Sequence, residues 1–158
     1  MGNVRVIDVH QSVYAVNDEI AAKTRARLKE EKTFMVNLMS SPGAGKTTTL
    51  IRTANMLGDR YRIGVMEADI DSSVDAEKMA AAGVTSIQVH TGGECAMDAH
   101  MTMQALDEFD TDGLDLLVME NVGNLVCPAE FDTGAHRNIM ILSVPEGDDK
   151  PLKYPLMF

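Results

Sequence analysis

Residues 34–50, FMVNLMSSPGAGKTTTL, run an apolar strand into a glycine-containing turn and then into Lys46, Thr47 and a helix. The small residues Pro42, Gly43, Ala44 and Gly45 let the backbone curl until successive N–H groups point at one centre. The helix that follows adds the positive end of its dipole, and such a turn holds phosphate. Lys46 is spaced to reach the β- and γ-phosphates of a nucleotide, and the Thr47 hydroxyl takes a place on Mg²⁺. Thr48, next on the helix, is counted with the nucleotide-binding residues. The strict pattern has Gly where this chain has Ser40, which starts the bend and is not expected to touch phosphate.

Outward from this loop, strands and helices alternate. A short strand is expected near VRVIDV (4–9), followed by a helix from about Ser12 to Lys32 with Val13, Val16, Ile20 and Leu28 roughly on one face. After the phosphate loop come a strand at 61–67 (YRIGVME), a helix over VDAEKMAAAG ended by Gly83, and a strand over VTSIQVH. A helix over CAMDAHMTMQALDEF, a strand at 114–120 (LDLLVME) and a strand at 137–144 (RNIMILSV) follow. Alternation of this kind predicts one α/β domain over residues 1–158. Its sheet is mostly parallel and flanked by helices, and its ligands bind at the strand C-terminal ends.

Composition narrows the function. A chain of 158 residues, 45% hydrophobic, can build one core. Fourteen basic against twenty-four acidic residues give a net charge of −10, which argues against nucleic acid or an anionic membrane as main partner. No apolar run reaches the roughly 18 residues of a membrane span, and MGNVRVIDVH lacks the blocks of a signal peptide, so a cytoplasmic setting is expected. Two cysteines far apart in such a chain suggest thiols used as thiols and no structural disulfide.

Three further stretches carry chemistry. The strand LDLLVME ends in Glu120, placed to order Mg²⁺, and NVGN follows, in which Gly123 can bring its N–H close to a γ-phosphate. EADIDSSVDAEK offers Asp69, Asp71 and Asp75, three carboxylates that favour Mg²⁺ contact by at least one; Asp75 reads equally as a first-turn acid of a helix capped by Ser72 or Ser73. Cys95 begins the helix after HTGGE, where a thiol ionises more easily, and Cys127 closes ENVGNLVC just past Gly123. Thiolate is the form that binds Zn²⁺ or Ni²⁺, whereas separated cysteines also read as small buried hydrophobes.

Together SSPGAGKTTTL, TGGEC, DAH, ENVGNLVCPAEFDTG and EGDDKPLKYPLMF resemble the HypB family of hydrogenase maturation GTPases, from about residue 3 to the end. The resemblance implies a SIMIBI-class P-loop G domain that dimerises with GTP and hydrolyses it slowly. It also implies a Zn²⁺ or Ni²⁺ site near the switch loops and service to [NiFe]-hydrogenase maturation alongside nickel-delivery proteins. Residue by residue, it gives Lys46, Asp75 and Glu120 to catalysis and Thr47, Asp75 and Glu120 to Mg²⁺. Gly43, Ala44, Gly45, Lys46, Thr47, Thr48, Gly123 and Lys153 go to the nucleotide, Lys153 at a position that reaches the partner subunit's guanine. Cys95 and Cys127 match the metal thiols, provided by two subunits.

This chain departs from the family pattern in two places. The first thiol is followed by Ala96 in place of His, with His100 the further candidate ligand; weaker metal binding or altered preference is expected. No Asn-Lys-x-Asp motif, the family's guanine reader, occurs within residues 1–158, so GTP over ATP follows from resemblance alone and the chain is expected to be C-terminally truncated. Two other readings stand beside the GTP-switched nickel metallochaperone: a P-loop phosphotransferase acting on a small molecule, and a metal-deficient dimerising nucleotide switch.

Overall fold

In the computed structural model, residues 9–69 and 74–158 are described, with side chains at 13–68 and 77–158. β1 (Phe34–Ser40) is buried at every position after Phe34, as a strand covered on both faces must be. Its neighbour β4 (Leu116–Glu120) has the same character, and side chains alternate between two cores. Met35, Leu117 and Met119 enter one cluster with Leu28, Met66, Met97, Leu106 and Phe109. Val36, Leu38 and Val118 enter the other with Leu50, Val65 and Met79. Completing the sheet are β2 (Ile63–Asp69), β3 (Thr85–His90) and β5 (Arg137–Ile141). All five strands are parallel, in the order β3-β2-β4-β1-β5, which agrees with the α/β expectation.

The order matters for ligand binding. β1 and β2 both flank β4, so the turn after β1 and the end of β2 lie on either side of the end of β4. Ligands in open α/β sheets sit at such strand C-terminal ends.

The helices are α1 (Val9–Glu30), α2 (Lys46–Leu57), α3 (Val74–Ala81), α4 (Ala99–Glu108) and the short α5 (Lys150–Lys153). Two expectations need correction. Val9 already belongs to α1, and the rest of the expected VRVIDV strand, residues 4–8, lies outside the described residues. The buried stripe of α1 is Asn17, Ala21, Thr24 and Leu28, while Val13 and Val16 are exposed at 50% and 59%. The 17-21-24-28 spacing is as helical as the expected one. It wins because small and polar residues allow close approach: a Cβ on Gly134 would lie 2.8 Å from Thr24.

Polar bonds fix α1 in place. Asn17 donates to the Asp132 carbonyl at 2.8 Å and accepts from the Ala99 N–H at 3.0 Å. Arg25 makes a two-pronged bond to the Asp132 carboxylate at 2.7 and 2.6 Å, the geometry in which an arginine pair is strongest. Arg27 spans Glu31 and Asp107.

The Arg25 guanidinium holds the Asp132 carboxyl below its ordinary range. A depressed folded pKa means that the stabilisation is present above the unfolded value and is lost as pH falls through the folded one. Asp132→Asn is therefore expected to lower stability at neutral pH by about 1 kcal/mol, discounted for partial exposure. Urea denaturation at a series of pH values checks it: the gap between the two proteins closes as the pH drops below about 4.

Candidate functional site

At the turn after β1, Gly43 and Gly45 have φ of 74° and 97°, left-handed values that favour glycine. A Cβ at either would meet nothing within 4 Å, so the concave side of the loop is open. α2 begins at Lys46, and its first N–H groups have no partner within the helix. A turn of this shape before a helix start is the geometry expected of an anion cradle, with Ala44 between the two glycines and Thr48 exposed on the first turn.

The side chains around the cradle are connected. Buried Lys46 donates from Nζ to Ser40 Oγ at 2.9 Å, and Ser40 Oγ donates to the Ser41 carbonyl at 2.7 Å. Ser40 thus does more than start the bend: its hydroxyl, absent from the usual Gly, seats the lysine. Thr47 Oγ1 donates to Glu120 Oε1 at 3.1 Å. Glu120 pairs in register with Glu67 across β4 and β2, and both are buried. Glu67 is the residue that sequence reasoning missed, although a carboxylate inside the apolar run IGVMEA is itself a signal. A hydroxyl and carboxylates form an all-oxygen donor set, which suits a hard cation such as Mg²⁺.

Gly123 closes the site from the far side. A Cβ there would stand 3.1 Å from Pro42 Cα and 3.2 Å from Lys46 Nζ, so the loop after β4 lies directly on the phosphate loop. Ser41 also contacts Glu146, whose carboxylate caps Ser143 and is held below its ordinary range by those hydroxyls. Asp69 ends β2 and Asp75 is the second residue of α3; their side chains, and Asp71, Ser72 and Ser73 altogether, lie outside the described residues. Lys153 forms an exposed ion pair with Asp149 at 2.5 Å.

The cysteines need two corrections. Cys95 does not begin a helix: Asp98 caps the Met101 N–H at 2.8 Å and α4 starts at Ala99, because a carboxylate satisfies the free amides of a helix end and a cysteine does not. Second, Cys95 and Cys127 are joined as a disulfide, where free thiols were expected. The two loops run side by side and bring the Cα atoms to 5.9 Å, within bridging distance. Oxidised, the pair offers no thiolate; reduced, the same backbone presents two sulfurs to one point. Around them is a cavity lined by Glu94, Ala96, Asp98, Met101, Glu130 and Phe131. His100 is exposed on α4 and does not line it. Among the described residues no three His, Cys, Asp or Glu side chains are grouped so as to hold a metal.

Comparison with known proteins gives the family and agrees with the fold. A probable hydrogenase maturation factor HypB from Methanocaldococcus jannaschii is 38% identical over 96% of this chain and 69% of its own. The chain belongs to the HypB family. The model of the CobW/HypB/UreG nucleotide-binding domain matches residues 34–142, from the start of β1 to just past β5. A HypB crystal structure from Archaeoglobus fulgidus has a TM-score of 0.82 and 40% identity, covering 90% of this chain and 70% of that one. The crystal structure of HypB from Helicobacter pylori in complex with nickel has a TM-score of 0.83 and 43% identity, covering 89% and 66%. The Azotobacter chroococcum hydrogenase maturation factor HypB is 48% identical over 98% of this chain. The chain spans 50% of that relative's length. Among the described residues no helix is long and apolar enough to cross a membrane.

The close approach of Gly123 to Pro42 gives a test of nucleotide binding at this turn. Gly123→Ala is expected to push the loop off Pro42, weakening a triphosphate analogue about tenfold, the scale of modest overpacking, while a diphosphate changes less than about threefold. Titration with fluorescent nucleotides separates the two.

Proposed function

We propose that this chain is the nucleotide-switched part of a nickel metallochaperone for [NiFe]-hydrogenase maturation, which binds and slowly hydrolyses GTP and carries Ni²⁺ or Zn²⁺ as cargo. One observation carries the reading. The loop that lies on the phosphate cradle at Gly123 is the loop that ends in Cys127, four residues on and joined to Cys95. Nucleotide and cargo therefore act on one short piece of backbone. The family relatives named as hydrogenase maturation factors, and the nickel complex of the Helicobacter pylori protein, support the choice of cargo and pathway.

The residues divide the work as follows. The cradle of Gly43, Ala44 and Gly45 receives the phosphates on backbone N–H groups, and Lys46 supplies a fixed positive charge beside them. Thr47, Glu120 and Asp75 would hold Mg²⁺, which when bound neutralises charge on the β- and γ-oxygens. Gly123 donates its N–H toward the γ-phosphate position, so the loop senses whether that group is present. Lys153 reaches the partner's guanine in a GTP-bound homodimer, which also places a second cysteine pair beside the first. Four thiolates complete a soft, four-coordinate site that one chain cannot. Hydrogenase maturation and nickel-delivery proteins are the partners, and the setting is cytoplasmic, where thiols stay reduced.

Ala96, and the absence among the described residues of three grouped His, Cys, Asp or Glu side chains, favour a second reading, a dimerising nucleotide switch that carries no metal. Titrating reduced protein with Ni²⁺ and Zn²⁺ separates the two readings, using GDP and then a non-hydrolysable GTP analogue and following thiolate-to-metal absorption. The expected result is a nucleotide-sensitive band absent from Cys127→Ala. No band in any nucleotide state would leave the metal-free switch.

A further inference from the structure

Two asparagines bracket Gly123, and each leaves its own loop to bond the segment that carries Cys95. Asn121 accepts from the Val122 N–H at 2.9 Å and from the Met97 N–H at 3.1 Å, so one oxygen holds both loops. Its amide donates to Asn37 Oδ1 at 3.0 Å, and Asn37 donates to Asn138 at 3.1 Å, a ladder running from the end of β4 through β1 to β5. Asn121 and Asn37 are both 1% exposed, which makes this end of the bracket a fixed anchor.

Asn124 is built differently. Its Nδ2 donates to the Cys95 carbonyl at 2.6 Å, and its Oδ1 accepts from the Val126 and Cys127 N–H groups at 3.1 and 2.8 Å. A single side chain, next in sequence to Gly123, thus grips the backbone of both cysteines. It is half-buried, and its bonds to the Cys95 and Cys127 segments lie nearer the surface than those of Asn121.

We infer that Asn124 is the positioning residue that converts movement of Gly123 into a change in the spacing of the Cys95 and Cys127 sulfurs. With Asn121 as anchor and Asn124 as arm, lifting Gly123 from Pro42 pulls the Cys127 N–H and the Cys95 carbonyl together or lets both relax. The Cys95 loop then follows nucleotide state without touching nucleotide. Backbone amides and a carbonyl are the groups gripped, so the coupling is independent of which metal the sulfurs take. A coupling claim of this kind needs one element that both sites bias, and the 121–127 loop is that element. The inference rests on the metal-carrying reading above.

Asn124→Asp tests it selectively, because a carboxylate keeps the acceptor for the Val126 and Cys127 amides but replaces the donor to the Cys95 carbonyl with a repelling oxygen. Asn124→Leu keeps the bulk and removes both halves. Asn124 is half-buried and stands outside the core, so both variants are expected to melt within a few degrees of wild type. Two readouts are taken on reduced full chain. The first is the ratio of Ni²⁺ affinities with GTP analogue and with GDP, expected to be about fivefold or more in wild type and to fall within about twofold of unity in both variants, with nucleotide affinity unchanged. The second, taken without metal, is amide hydrogen exchange over residues 91–98, expected to respond to the GTP analogue in wild type and in neither variant. A wild-type response of that segment that survives in Asn124→Asp overturns the inference. Absence of any Ni²⁺ binding in wild type overturns the metal reading instead, while the exchange measurement still decides the role of Asn124.

Discussion

Contact between Gly123 and the phosphate loop is the constraint on which the site depends. A glycine suits a place where Pro42 and Lys46 leave a little over 3 Å to a hypothetical Cβ, since any side chain there would make a neighbour give by a few tenths of an ångström. That contact needs β4 to lie beside β1 in register, with Asn121 donating its N–H to the Leu38 carbonyl at 3.0 Å so that pairing continues past the end of the strand. The register needs two buried faces: a one-residue slip would exchange Met35 and Val36, or Leu117 and Val118, between the two cores. Packing of ordinary methionines, leucines and valines is thereby what sets the distance between the loop after β4 and the glycine turn after β1.

Much of this was legible in the sequence because its signals are local. A strand entering SSPGAGKTTTL specifies loop, dipole and lysine within a dozen residues, and each apolar strand ending in a polar residue announces a site at the sheet edge. Glu120 and Gly123 were singled out in this way, and the structure sets them beside Thr47 and Pro42. Ser40 was undervalued because its partner, the Nζ of Lys46, is set by how the loop folds back and not by spacing alone. Glu67 was passed over because its significance comes from facing Glu120 on the next strand, a relation that sequence order hides when β4 inserts between β1 and β2.

The errors share a cause. The stripe of α1 was assigned to its larger apolar residues, yet the helix packs through Asn17, Ala21 and Thr24, since close approach to Gly134 and α4 requires small side chains and polar ones with partners. Similarly, Cys95 was placed on a helix start whose true cap is three residues later. The cysteine pairing was misjudged because compartment and spacing say nothing about two loops that meet only in three dimensions.

That pairing has a practical side. A bridge between residues 32 apart removes a large loop from the unfolded ensemble, an effect of about 4 kcal/mol in the chain-entropy picture. Air-oxidised protein would therefore be the more heat-resistant preparation while its sulfurs are tied to each other and the loop after β4 is stapled to its neighbour. Screening buffers by melting temperature would select the bridged form, which offers no thiolate, so thiol titre, and not thermal resistance, tells which form a sample contains.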